Sequence, residues 1–145
     1  MSERIFAIGD VHGCHQALLG VLDSIAVSPT DTLVFLGDVI DRGPASKQVV
    51  DEILRLQNVC QVKSIMGNHE EMMRNALLGR EQKFWLGEGG KQTLDSYGCS
   101  MDAIPPEHIR WLLATIPFWE TETEIFVHAN LESEVALPNQ TSDFL

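Results

Sequence analysis

Residues 32–43, Thr32-Leu33-Val34-Phe35-Leu36-Gly37-Asp38-Val39-Ile40-Asp41-Arg42-Gly43, decide the fold. The first five form a compact apolar run that follows the turn signal Ser28-Pro29-Thr30-Asp31 and reads as a strand. That run ends abruptly in two carboxylates and a guanidinium set between glycines. Polar residues at this density suit a loop that leaves the carboxyl end of a strand, where glycines allow a sharp exit.

The same arrangement recurs on both sides. Upstream, the apolar run Ile5–Ile8 leads into Gly9-Asp10-Val11-His12-Gly13, followed by a helical pattern with Leu18, Leu22 and Ile25 on one face and Leu19 beside them. Downstream, a helix is expected from near Pro44 through Val49, Val50, Ile53, Leu54 and Leu56. Val59–Ile65 then reads as a third strand. It leads into Gly67-Asn68-His69-Glu70 and a helix from Glu70 to Leu78 that stops at Gly79. The β-α-β-α-β order implies an α/β fold of parallel strands joined by right-handed helical crossovers. The second half is less regular. Gly87, Gly89 and Gly90 read as a plain loop before a short helix ending near Tyr97-Gly98, and Pro105-Pro106-Glu107 opens a helix through Ile109, Leu112 and Leu113. Phe118–Thr121 and Glu124–Val127 read as strands around a tight polar turn, the second running into His128. Ser133–Leu145 shows no periodicity.

Composition bounds what such a chain can do. Its 145 residues fit a single domain, 1–145, and 44% hydrophobic with 21% charged residues is ordinary for a packed globular protein. A formal charge of -11 repels polyanions, so no nucleic-acid or membrane partner is expected. Three cysteines, with no C-x-x-C pair, point to reduced thiols in a cytoplasmic protein, and the N-terminus MSERIFAIGD carries no signal-peptide core.

In open α/β sheets ligands bind beyond the carboxyl ends of the strands, so these clusters are expected to share one crevice. There Asp10, Asp38, Asn68, His12 and His128 would offer carboxylate, amide and imidazole donors without a thiolate, a mixture suited to Mn, Fe or Zn. Two carboxylates and two imidazoles exceed what one catalytic ion commonly needs. A pair of divalent ions sharing one Asp is the economical arrangement, and it would supply the local positive charge that the acidic chain lacks.

Motifs of the form Gly-Asp-x-His-Gly, Gly-Asp-x-x-Asp-Arg-Gly and Gly-Asn-His-Glu, in this order, resemble those of calcineurin-like metallophosphoesterases of the phosphoprotein phosphatase type. The bacterial serine/threonine protein phosphatases are the group most resembled. Trp85–Gly90, Leu94-Asp95-Ser96-Tyr97-Gly98 and Phe126-Val127-His128-Ala129 extend the likeness over roughly residues 4–140. The resemblance implies β-sandwich-like sheets flanked by helices, and hydrolysis of a phosphoprotein or small phosphoester by a metal-bridging hydroxide, with manganese the first choice of ion. It also implies roles. Asp10 and His12 would bind one ion, Asp38 would bridge, and Asn68 and His128 would bind the other. His69 would be the general acid, oriented by Asp41, and Arg42 would grip the phosphoryl oxygens. The family places a further metal-binding His, and usually a second phosphate-gripping Arg, well downstream of the His128 motif. This chain stops at Leu145, so a fragment or shortened form lacking C-terminal strands is expected. Met66 stands where many relatives carry Arg, and Asn130 where Gly is common; both changes are expected to be tolerated.

Two other readings share the motifs. Symmetrical diadenosine tetraphosphate hydrolases are similar, but tend to carry Asp at the Glu70 position and often lack an acidic residue at that of Asp41. A noncatalytic metal-binding or regulatory relative would keep the fold without turnover. Elsewhere the expectations are plain: His15 and His108 exposed on helices, Cys14 inertly packed, and Trp85, Trp111 and Trp119 as core or edge packing. Glu120, Glu122 and Glu124 are expected on a solvated face.

Overall fold

The computed structural model describes residues 3–141. Strands β1 (Ile5–Ile8), β2 (Thr32–Phe35) and β3 (Gln61–Ser64) form a parallel sheet in the order β1-β2-β3. They run in matched register, with Ile8 opposite Phe35 and Phe35 opposite Ser64, so all three strands end at the same level. Leu33, Val34 and Phe35 are fully buried on the central strand, which explains its unbroken apolar run. On edge strand β1 alternate residues face solvent, and Ile5 is exposed.

Helix α1 (His15–Ile25) joins β1 to β2, and α2 (Ser46–Leu56) joins β2 to β3. Leu18 and Leu22 of α1 and Val49, Val50, Ile53 and Leu56 of α2 pack with Leu33 and Phe35 in one apolar core. The α2 helix begins at Ser46 rather than at Pro44. Ser46 is buried there because its hydroxyl accepts the backbone N–H of Asp41 at 3.0 Å. Helix α3 (Asn68–Leu77) follows β3 almost at once.

The glycines at 87, 89 and 90 do not form a plain loop. Helix α4 (Gln82–Trp85) runs into a wide π-type turn at Leu86–Gly90, and α5 (Lys91–Ser96) continues from it. Only Gly89 leaves helical geometry, at φ 118°, and a side chain there would strike the Arg42 backbone. Helix α6 (Pro106–Leu113) starts as expected on Pro106. Beyond it Ile116 bridges Ile65 at the edge of β3. The chain then forms the antiparallel hairpin β4 (Phe118–Glu120) and β5 (Ile125–Val127), which is the second sheet among the described residues. Trp119 stacks on Phe126 across it, and Glu120, Glu122 and Glu124 face solvent.

Three expectations about single residues fail: His15, on α1, is half-buried rather than exposed. His108 is buried, not exposed, because Tyr97 and Asp51 occupy both of its ring nitrogens. Cys14 is exposed beside the first loop rather than packed.

Candidate metal centre

Level strand ends bring the three loops into backbone contact. His12 and Gly13 donate backbone N–H groups to the carbonyls of Asp38 and Val39, both at 2.9 Å. Gly67 lies so close to the Asp38 loop that a Cβ there would collide with the Asp38 backbone nitrogen and carboxylate. Glu70 ties the second loop to the third: its buried carboxylate accepts the N–H groups of Asp38 (2.7 Å), Val39 (3.0 Å) and Gly67 (3.0 Å). Burial pushes the Glu70 carboxyl above its ordinary range against the pull of those three donors. Four of the seven non-glycine residues with positive φ among those described lie in these loops, namely His12 (44°), Asp38 (51°), Asp41 (69°) and Arg42 (66°). Each costs on the order of 1–3 kcal/mol, and the loop packing above holds them.

Asp38 lies at the centre. Its carboxylate groups with Asp10 and His128 on one side and with His12 and His69 on the other, with ligand atoms in each group within 4.8 Å of one another. Both groups thus share Asp38, although Asp10 sits with His128 where the resemblance pairs it with His12. His128 reaches the cluster from the separate hairpin, because its ring anchors on the end of β2. Its Nδ1–H donates to the Leu36 carbonyl at 2.8 Å, and His12 Nδ1–H donates to Ile40 at 2.9 Å. A carbonyl only accepts, so in both rings Nδ1 carries the donated proton, leaving Nε2 as the ligand nitrogen; in His12 that nitrogen accepts from Arg42 Nη1. Those Nε2 atoms lie 3.5 Å (His128) and 3.8 Å (His12) from Asp38 Oδ2, and Asn68 Oδ1 lies 3.2 Å from His128 Nε2. Lone pairs that converge in this way fit a cation. Turned over, the Asn68 amide would instead donate to His128 and Asp38; the oxygen-inward orientation is the one a cation would use. The donor set therefore fits divalent ions of the Mn, Fe or Zn kind.

Beside this cluster is a buried dyad. His69 Nδ1–H donates to Asp41 Oδ2 at 2.8 Å, with both side chains almost fully buried. Burial alone would lower the His69 pKa. The Asp41 hydrogen bond and the charges of Asp38 and Asp41 outweigh that effect and the opposing Arg42, and the shift is upward. Trp85 Nε1 also donates to Asp41 Oδ2 (2.9 Å), and the Thr93 hydroxyl donates to Oδ1 (2.6 Å). Arg42 is exposed at the mouth, where Nη1 donates to His12 Nε2 at 3.0 Å.

All eight residues singled out in the sequence therefore lie in one cluster at the strand ends. Trp85, Thr93 and Ser46 were missed as parts of it. A tryptophan read as core packing still has an indole N–H to satisfy, which was the available signal for Trp85. Nothing in the local pattern marks Thr93 or Ser46.

The chain is similar to known proteins. The family model for calcineurin-like phosphoesterases matches residues 3–135. Serine/threonine-protein phosphatase 2 of Salmonella typhimurium is 41% identical over 89 residues, 61% of this chain and 39% of that protein. A symmetrical bis(5'-nucleosyl)-tetraphosphatase of Baumannia cicadellinicola is 42% identical over 66 residues, 45% of this chain and 22% of that protein. Among solved structures, a candidate diadenosine tetraphosphatase superposes with a TM-score of 0.71 over 96% of this chain and 55% of that one, at 23% identity, which shows the shared fold. The chain spans no more than about two-fifths of the length of these curated relatives. With the family model matched across nearly all of the described residues, the chain belongs to the calcineurin-like phosphoesterase family.

Proposed function

We propose that this chain hydrolyses phosphomonoesters, with phosphoserine and phosphothreonine in proteins as the substrate class. The observation that carries this reading is the buried Asp41–His69 dyad beside the shared Asp38. Asp10, His12, Asp38, Asn68 and His128 would hold two divalent ions. When bound, the ions supply Lewis acidity, lowering the pKa of water and neutralising phosphoryl charge. Manganese is the first ion to test; iron and zinc suit the same donors.

The chain's own groups do the rest. Arg42 grips phosphoryl oxygens with its planar fork. A water-derived oxygen bonds to phosphorus as the ester P–O bond breaks, and His69 gives its Nε2 proton to the departing oxygen, yielding alcohol and inorganic phosphate. Asp41 keeps the His69 Nδ1–H in place and stabilises the ring while it is charged. An alkoxide leaves poorly without that proton, whereas a nucleotide leaving group needs it far less. The retained dyad therefore favours an alkyl phosphomonoester over a dinucleoside polyphosphate. A cytoplasmic setting goes with this reading, supported by three free cysteines.

The likeness to symmetrical tetraphosphatases makes the decisive experiment a competition. Turnover on a phosphoserine peptide should exceed turnover on diadenosine tetraphosphate in added manganese. Dominant dinucleotide cleavage would replace the proposed substrate. A folded chain that hydrolyses neither would mark it as a noncatalytic relative.

A further inference from the structure

Asp41 has little from its own loop to aim its carboxylate. It sits fully buried in left-handed geometry where a tight turn begins, its carbonyl accepting the Gly43 N–H at 2.7 Å, and its neighbour Arg42 is exposed. Its orientation is set from a distance. Trp85, 44 residues away, donates to the same Oδ2 that accepts from His69, and Thr93, 52 residues away, donates to Oδ1. Thr93 Oγ1 also accepts the Asp41 backbone N–H at 2.9 Å, so this hydroxyl grips both the main chain and the side chain of Asp41. The wide turn at Leu86–Gly90 brings these two donors to one carboxylate. Gly90 packs directly on the Trp85 indole, and the Gly89 carbonyl accepts the Arg42 N–H at 3.1 Å.

We propose that Trp85 and Thr93 are positioning residues, which aim Asp41 at His69 Nδ1 and through it the His69 ring at the departing oxygen. The proposal rests on the assignment of His69 as proton donor. With either donor gone, a buried carboxylate can rotate toward the remaining one, and a small misplacement of an acid–base group is expensive in rate. The loss must then scale with how much the leaving group needs a proton. A structural role alone would lower activity equally on all substrates.

The test uses the full chain and three variants: Thr93→Val, which keeps shape; Trp85→Phe, which keeps most of the ring; and Thr93→Ser, which restores the hydroxyl. The first readout needs no turnover. In metal-free protein of native melting behaviour, the hydrogen-bonded His69 Nδ1–H should give a slowly exchanging proton resonance that shifts or broadens in Thr93→Val and Trp85→Phe and returns in Thr93→Ser. An unchanged resonance in both variants would overturn the proposal. The second readout compares kcat on phenyl phosphate with kcat on 2,4-dinitrophenyl phosphate, whose leaving group departs unaided. Thr93→Val and Trp85→Phe should lose about tenfold or more on the first and little on the second, a fraction of what a full general acid supplies. Equal losses on both substrates would reduce the two residues to packing. His69→Ala separates this failure from failure of the underlying reading: if its own loss does not depend on leaving group, His69 is not the proton donor.

Discussion

Two buried histidines in this molecule are paired with aspartates, and the pairs differ in what they leave free. His69 donates Nδ1–H to Asp41, itself wholly buried and held by Trp85 and Thr93. Its second nitrogen is uncommitted, and the ring lies beside Asp38 and His12. His108 has both nitrogens engaged, Nδ1 by the Tyr97 hydroxyl at 2.8 Å and Nε2 by Asp51 at 3.0 Å. Asp51 is 47% exposed and shared with Lys47. The environments push the two rings in opposite directions: burial lowers the His108 pKa and its half-solvated partner does not make up the difference, whereas the His69 pKa is raised. An aspartate–histidine pair is therefore no sign of chemistry by itself. What counts is a ring fixed at one nitrogen with the other free at a cluster of lone pairs.

The sharpest way to break this distinction is to remove each ring. His69→Ala should lower turnover by about 10²–10⁴-fold with metal content unchanged. His108→Ala should leave turnover per folded molecule essentially as it was, and a large loss there would mean that the two pairs are functionally alike. Stability should show the converse. Loss of His108 leaves the buried Tyr97 hydroxyl without its partner, at about 1–3 kcal/mol in a denaturant titration. A third comparison uses pH. The folded pKa of His108 lies below its ordinary value near 6.5, so its contribution to stability is present above that value and falls away as pH drops through the folded one. Melting temperature should decline on this account as pH falls below about 6.5, and His108→Gln should flatten the decline. His69, shifted the other way, contributes fully below its ordinary pKa and loses that contribution as pH rises through the folded one. Proton NMR of the metal-free protein should find the two imidazole midpoints on opposite sides of that value. The smallest effect belongs to Asp51→Asn: a half-exposed partner should cost less than about 1 kcal/mol and no turnover.

How much of this was legible beforehand follows the chemistry of each feature. The parallel core was readable because Ile5–Ile8 and Thr32–Phe35 are short apolar runs that stop at glycine-flanked polar clusters. Those clusters also held the candidate ligands Asp10, His12, Asp38 and Asn68, which the matched register brings to one level, while His128 follows the separate hairpin strand β5. Beyond the motif residues, what depended on a distant partner was hidden. His108 sits on α6 with an ordinary helical pattern around it, and only the packing of Tyr97 and Asp51 buries it. The same holds for Thr93, whose acceptor lies 52 residues away, and for the glycines at 89 and 90, whose roles come from Arg42 and Trp85 pressing on them.

Asp38 lies between the His12 side and the Asp10–His128 side of the cluster, and the proposed function needs it shared by two ions with His69 a ligand of neither; metal counting tests that most directly. Purified chain equilibrated with manganese and analysed for bound ions should hold two per molecule. Asp38→Asn should lose both while retaining its fold by circular dichroism. A folded protein that binds no ion, or one whose ion content is indifferent to Asp38→Asn, would contradict it.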